Sequence, residues 1–263
     1  MGKLYIVGLG LTPDLITLRG LRVLNKVKRI FLETYTNIIL DGESLEDVLK
    51  GKEVIRVGRR DLEDQSGKVI LDSLAQGDVA LIVPGDPLTA TTHISLVMEA
   101  LKRGYEVEVI PGVGIIPSAL TLAGLMIYKL GKIITMVYPK EGIVYEYPYD
   151  VIKDNDSRNL HTLLLLELDA EKNIVMSIKD AIHLLYELEE RRGEGIIKPH
   201  RSAVAVVALG SKRQSICYGS LEELSIIDEK DVPQTLIITS PKLHFVEEEM
   251  LRVINNVWCK YFK

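Results

Sequence analysis

The stretch Ala80-Leu-Ile-Val-Pro-Gly-Asp-Pro-Leu-Thr-Ala-Thr-Thr-His93 narrows the possible folds of this chain more than any other. Its apolar opening predicts a buried strand. Pro84-Gly85-Asp86-Pro87 then breaks the backbone, because prolines so close together suit neither a helix nor a central strand. Thr91 and Thr92 restart the chain into an amphipathic segment with Ile94, Val97 and Leu101 on one face, a helix with a hydroxyl at its start. Strand, tight loop and helix form the unit in which open α/β proteins hold ligands, at the carboxyl end of the strand beside backbone N–H groups. A Gly-Asp-Pro turn is as often a plain connection, so the rest of the chain has to decide its role.

The first half alternates in the same way. Leu4–Val7 predicts a short strand ending at Gly8-Leu-Gly10, and Thr17 predicts the cap of a helix carrying Leu18, Leu21, Leu24 and Val27. Strands follow at Arg29–Glu33, Val54–Val57, Val79–Val83 and Tyr105–Ile110. Helices are expected over Glu46–Leu49, over Val69–Ala75 closed by Gly77, and after Thr92 up to Gly104, with Arg59–Asp64 as a charged loop. Repeated βαβ units imply a largely parallel, covered sheet. The second half has strands at Lys132–Tyr138, Thr162–Leu168, Ala203–Leu209, Ser215–Tyr218 and Thr235–Thr239. It also has helices over Ile178–Arg192, ending at Gly193, and over Val246–Val257, with Val246, Met250, Val253 and Val257 on one face. A boundary near Pro111–Gly114 gives lobes over residues 1–112 and 113–263.

The 263 residues carry 32 basic and 37 acidic side chains, a net charge of −5 that argues against broad nucleic-acid binding. Cys217 and Cys259 form neither a disulfide framework nor a metal spacing, so a reducing, cytoplasmic setting is the simplest inference. Val109–Tyr128 is uncharged and long enough to span a bilayer, but its prolines and glycines predict a loop followed by a buried helix instead. No membrane association and no metal site are expected.

Two glycine-rich turns compete for the chemistry. Gly8-Leu-Gly10-Leu-Thr-Pro13 begins like a dinucleotide fingerprint, with Glu33 near the place of a ribose-binding acid. Its third glycine is replaced by Pro13, and the helix starts late, so a pyrophosphate cradle fits poorly. Both this turn and Gly85-Asp-Pro87 follow strand ends. Together they line one sheet edge able to hold a nucleoside-like ligand.

Gly8-Leu-Gly-Leu-Thr-Pro-Asp-Leu-Ile-Thr-Leu-Arg-Gly20 and Pro84-Gly-Asp-Pro87 resemble the two signatures of the tetrapyrrole methylase superfamily. Gly85–His93, Ala123–Lys132, Leu160–Lys172 and Lys242–Glu249 are similar to the longer blocks of the diphthine synthase family, and the resemblance runs through nearly the whole chain. It implies an α/β protein of two lobes, with a mostly parallel sheet in the first, a mixed sheet in the second and a cofactor cleft between them. It implies a homodimer that uses S-adenosyl-L-methionine, yields S-adenosyl-L-homocysteine, and methylates the amino group of a modified histidine on translation elongation factor 2 in several steps. A tetrapyrrole methyltransferase of the same fold is the alternative. Carried over by position, the cofactor residues are Leu11, Asp86, Thr89, Ile115, Ile116, Leu166, Leu209 and Thr235. Ile115 and Thr235 depart from the family pattern, which often has Ser and His at those places.

Methyl transfer from a sulfonium needs proximity, orientation and dryness rather than a metal. Asp86 is the charge expected to matter, as a partner for the donor's ammonium or sulfonium, although an aspartate after a glycine also caps its own turn. No general base is assigned. His93, His161 and His244 fit structural roles as well as chemical ones, and Glu33 ends what reads as an exposed strand. Lys129, Lys132 and the pair Arg59-Arg60 are candidates for a substrate carboxylate.

Overall fold

The structure, a computed structural model, describes residues 2–227 and 232–262, the side chains of residues 42 and 43 excepted. It falls into two compact units. The first runs from the N-terminal strand to Ile115 and takes in Asp169–Asn173 and Gly210–Lys212. The second comprises Ile116–Leu168, Ile174–Leu209 and the described residues from Arg213 onward.

In the first unit, β1 (Lys3–Gly8), β2 (Arg29–Glu33), β3 (Glu53–Val57), β4 (Val79–Val83) and β5 (Glu106–Ile110) form one sheet in the order β3-β2-β4-β1-β5. Every pairing in it is parallel. Alternation along the strands builds a core on each face. Leu4, Ile6, Phe31, Leu81 and Val83 pack with Ile70, Leu71, Leu96 and Val97, the latter from α3 (Lys68–Ser73) and α4 (Ile94–Lys102). Val7, Ile30, Leu32, Ala80 and Ile82 pack with Val23 and Leu24 of α1 (Leu18–Lys26), and Leu45, Val48 and Leu49 of α2 (Gly42–Leu49) join them. A sheet covered on both faces explains why β4 is buried at every residue. From β1 the chain moves to β2 and β3 on one side, returns to β4, then crosses β1 to reach β5. The topological switch therefore falls between β1 and β4, where open α/β sheets bind ligands.

Thr17 caps α1 as expected, its hydroxyl accepting from the Gly20 N–H at 3.0 Å. The start of α4 differs. His93 occupies the cap position without a side-chain bond to the helix, and the Thr92 hydroxyl instead donates to Glu63 at 3.2 Å. The buried face of α4 is Leu96, Val97 and Ala100, whereas Ile94, Met98 and Leu101 are 58%, 51% and 56% exposed. The expected charged loop at Arg59–Asp64 is a π-helical turn over Arg60–Asp64, closed by the Gln65 N–H on the Arg60 carbonyl at 2.9 Å.

The second unit opens with α5 (Ile115–Leu122) and holds a mixed sheet in the order β11-β10-β12-β7-β6, made of β6 (Ile134–Met136), β7 (Thr162–Leu166), β10 (Ser202–Val207), β11 (Ser215–Ser220) and β12 (Gln234–Ile238). Only β6 and β7 run parallel; the other pairs are antiparallel. β8 (Leu168–Asp169) and β9 (Ile174–Val175) are two-residue strands. Helices α6 (Tyr147–Ser157), α7 (Ile178–Arg192) and α8 (Leu221–Leu224) pack against the sheet and one another, and α9 (Phe245–Val257) lies along β11. α6 is absent from the periodicity analysis, since its sequence is polar and carries Pro148 in its first turn. α7 closes on Gly193 in the left-handed conformation, as expected. α9 buries Glu247, Leu251 and Ile254 and leaves Val246, Val253 and Val257 exposed, the reverse of the expected face.

The cysteine reading is overturned. Cys217 on β11 and Cys259 after α9 are fully buried and joined in a disulfide across a separation of 42 residues. Packing of α9 along β11 brings them together, which no spacing rule anticipates. The inference of a reducing compartment from unpaired cysteines loses its footing. Among the described residues no helix is long and apolar enough to cross a membrane.

A bridge closing a loop of this length stabilises by roughly 2–4 kcal/mol, largely through the unfolded chain. The expected outcome is that thiol titration of the unfolded, unreduced protein finds no free cysteine, and that Cys217→Ala/Cys259→Ala melts several degrees lower. Two reactive thiols in that titration would contradict the pairing.

Candidate functional site

The carboxyl edge of the first sheet is built from three loops whose backbones touch. Gly10 and Gly85, following β1 and β4, exchange hydrogen bonds, Gly10 N–H to the Gly85 carbonyl at 3.2 Å and Gly85 N–H to the Gly10 carbonyl at 2.8 Å. Both have positive φ, +87° and +71°, a conformation glycine adopts without penalty. The loop after β5 closes the arrangement: a Cβ on Gly112 would lie 2.2 Å from the Gly85 carbonyl oxygen, and one on Gly8 would lie 2.6 Å from Gly112 Cα. Side chains at these positions would force the loops apart.

Asp86 holds the loops to one another. Its Oδ1 accepts from the N–H groups of Leu88 and Thr89 at 3.2 and 3.1 Å and from the Thr89 hydroxyl at 2.8 Å, while Oδ2 accepts from the Gly112 N–H at 3.3 Å. Asp86 is half-buried and keeps lone pairs free on Oδ2. A negative charge at the ends of two parallel strands is thus held in place by backbone donors and stays accessible to a cationic group. Asp86, Thr89 and the Gly8-Leu-Gly10 turn are legible in the sequence; the part of Gly112 is not, although Pro111-Gly-Val-Gly114 is a signal for it.

The remaining candidates fall as follows. In the first unit, half-buried Leu11 follows Gly10 and packs beside Gly210. Ile115 follows Gly114, where an added Cβ would lie 3.2 Å from Asp86 Cβ. Ile116 is the second residue of α5 and the first of the second unit. In the second unit, Leu166 ends β7, Leu209 follows β10, and Thr235 pairs with Leu165 and Val206, so these three share one edge of the mixed sheet. Leu209 and Thr235 are 4% and 5% exposed. Two alanines with positive φ stand beside candidates: Ala90 (+56°) after Thr89, and Ala208 (+46°) before Leu209. Left-handed alanine costs about 1–2 kcal/mol, and such strain concentrates where a loop is shaped for a ligand.

Several other candidates have structural duties. Glu33 is fully buried, not exposed, and accepts from the Thr36 N–H at 2.7 Å as well as from the Tyr35 N–H. Arg59 is committed to Glu63 at 3.0 Å and Asp169 at 3.5 Å and stacks over the Tyr35 ring. Burial and the neighbouring Glu63 push the Tyr35 hydroxyl well above the usual tyrosine range, so it stays a donor to Glu63. Lys132 is paired with the Tyr147 hydroxyl. His93 is 2% exposed; its Nδ1 lies 3.1 Å from the Pro87 carbonyl, which fixes the proton there and makes Nε2 the bare nitrogen.

Lys129, His161 and His244 meet in one buried network in the second unit. Glu247, fully buried, accepts from the Met126 N–H at 2.8 Å, the His244 N–H at 2.9 Å and Lys129 Nζ at 3.0 Å. His161 Nδ1 accepts from the Ser240 N–H at 2.9 Å, so Nε2 carries the proton and donates to Glu247 at 2.9 Å. Burial favours the neutral carboxyl, but these donors outweigh it and hold Glu247 down at about 2. Burial lowers the pKa of His161, and Glu247 opposes that only in part. Lys129 is therefore a structural partner and not a free substrate cation. His244 caps α9, with Nδ1 accepting from the Val246 N–H.

Both titrations have one sign. Glu247 and His161 each bind a proton less readily in the folded state, so their stability is present above their ordinary pKa values and is lost as pH falls. Urea midpoints are expected to decline from about pH 6.5 downward, with the carboxylate part falling below about pH 4.5. Glu247→Gln should cost about 3–5 kcal/mol, leaving Lys129 with only the neutral acceptors Ser240 and the Lys242 carbonyl, and should flatten the acid limb; an unchanged limb would contradict the assignment. At the first edge, Gly112→Ala is expected to cost at least about 2 kcal/mol by overpacking. Asp86→Ala should release the Gly112 loop and lower the melting temperature while the protein remains folded.

The model of the Tetrapyrrole (Corrin/Porphyrin) Methylases matches residues 3–225. The chain is 40% identical over 262 residues to the diphthine synthase of Methanopyrus kandleri, covering 96% of this chain and 95% of that one. It is 37% identical over 256 residues to that of Methanocaldococcus jannaschii, covering 95% and 98%. A crystal structure of diphthine synthase superposes with a TM-score of 0.84 at 31% identity, covering 96% of each chain. The parallel sheet with its glycine-paired edge, the mixed second sheet and near-full-length identity place this chain in the diphthine synthase family of methyltransferases, within the tetrapyrrole methylases.

Proposed function

We propose that this chain is an S-adenosyl-L-methionine-dependent N-methyltransferase acting on the modified histidine of translation elongation factor 2 in the cytoplasm. The observation that carries the reading is the glycine-paired edge of the first sheet, with Asp86 set into it, in a chain that matches diphthine synthases over nearly its whole length. The residues fit the donor: two positive-φ glycines let a ligand approach the backbone, Asp86 offers one fixed negative charge, and Leu11 and Ile115 supply apolar surface. Leu166, Leu209 and Thr235 are the contribution we assign to the second unit, with Leu209 and Thr235 positioned by sheet hydrogen bonding and the Ala208 turn.

When bound, the donor supplies an activated methyl group on a positively charged sulfur. The chain's own residues bind and orient. Asp86 opposes positive charge at the strand ends, and its bonds to Thr89 and Gly112 keep it from swinging away. Apolar side chains would exclude water from around the donor and hold the acceptor amine in line with its methyl group, and the amine would have to give up a proton for each of the first transfers. No described side chain is assigned to take that proton. We further propose a homodimer, supported by Ile94, Met98 and Leu101, which α4 leaves exposed as one apolar face.

The test is transfer of labelled methyl from S-adenosyl-L-methionine to purified elongation factor 2 bearing the aminocarboxypropyl-histidine precursor, followed by mass spectrometry of that histidine. Mass gained in steps of one methyl is the expected result. No transfer with donor binding intact would overturn the acceptor assignment and favour a tetrapyrrole acceptor.

A further inference from the structure

A cavity lies wholly within the second unit, at the edge of the mixed sheet opposite to Leu166, Leu209 and Thr235. It occupies about 480 Å³ between the loop that leads into Ser202, the first residue of β10, and the loop that leaves β12 at Thr239. Since β10 is six residues long, the two edges stand about 20 Å apart. A ligand here does not compete with one at the donor residues of this unit.

The lining is cationic in a chain whose acids outnumber its bases, 37 to 32. Lys198, His200 and Lys242 face the cavity, and among the described residues none of the three side chains is engaged by a carboxylate. One acid, Glu248, joins them, and it lies 3.7 Å from Arg252 on its own helix. Lys198 and Lys242 against the single acid Glu248 leave the concave site with an excess of positive charge, which draws anions.

The chemistry of the walls narrows the anion. Arg201 also lines the cavity; its Nη2 donates to Asp156 and to the Thr239 carbonyl, each at 2.7 Å, and its Nε is buried, so neither edge of the guanidinium offers a two-pronged contact. No free planar fork is left for a phosphate. The neighbouring start of α9 is closed as well: His244 N–H donates to Glu247 and Val246 N–H to His244, so these first-turn donors are spent. No Phe, Tyr or Trp ring lines the cavity to stack a nucleobase. What remains is lysine point charges set among the apolar surfaces of Ile196, Pro241 and Leu243. We propose that this cavity docks an acidic peptide segment of a partner protein, its carboxylates meeting Lys198, His200 and Lys242 and an apolar side chain resting between them.

The test is fluorescence anisotropy with a labelled hexapeptide of alternating glutamate and leucine, using the full chain at low salt. Lys198→Glu/Lys242→Glu should weaken binding by about tenfold or more. The variant should fold, because both side chains are exposed and the hydrogen bonds of Lys242 to Asn159, Lys129 and Ser240 use its backbone. Lys50→Glu/Lys102→Glu on the first unit changes net charge equally and should leave binding within about twofold, as a distant pair acts only through screened charge. Absence of binding to the unaltered protein, or equal weakening by both pairs, would overturn the proposal. Displacement of the peptide by millimolar inorganic phosphate would overturn the peptide assignment in favour of a simple oxyanion site.

Discussion

The close approach of three glycine backbones at the end of the first sheet is the constraint from which the rest follows. Gly8, Gly85 and Gly112 meet so closely that a Cβ on Gly8 or on Gly112 would collide with a neighbouring backbone at 2.2 to 2.7 Å. Only with that approach can Gly10 and Gly85 exchange hydrogen bonds, and only then does the Gly112 N–H come within reach of Asp86. The parallel order β3-β2-β4-β1-β5 brings the loops to one edge, and the switch between β1 and β4 leaves a crevice there. Fold, turn chemistry and placed charge are thus one arrangement.

The second unit solves a different problem. Its sheet is held by a buried ion network beside β7 and by a disulfide on β11, and the Glu247 cluster is satisfied by named donors. That completeness is what makes a buried carboxylate tolerable. It also shows that Ala123–Lys132, Leu160–Lys172 and Lys242–Glu249, which look like chemistry in the sequence, include side chains whose work is to hold α5, β7 and α9 in register.

Much of the first unit was legible because each strand is a short run rich in apolar residues ended by glycine, proline or a charged residue, and the two glycine turns mark strand ends. Which face of a helix is buried was less legible. α4 carries Ile94, Leu96, Val97, Met98, Ala100 and Leu101, apolar on nearly every side, so periodicity alone could not choose between Leu96-Val97-Ala100 and Ile94-Met98-Leu101. The same ambiguity inverted α9. α6 escaped because five of its eleven residues, Asp150, Lys153, Asp154, Asn155 and Asp156, are charged or amide and leave no stripe. The Cys217–Cys259 bond, the return of Asp169–Asn173 and Gly210–Lys212 to the first unit, and the burial of Glu33 are set by tertiary packing over long separations. At the site, Asp86 and Thr89 could be read from local turn chemistry, whereas the Gly112 contact depends on the sheet bringing β5 alongside β1.

The most direct measurement is a crystal structure of the protein with S-adenosyl-L-homocysteine. Ligand density against the Gly10–Gly85 pair, with its amino group beside Asp86, is the predicted result. Density elsewhere, with that edge free of ligand at saturating concentration, would contradict it.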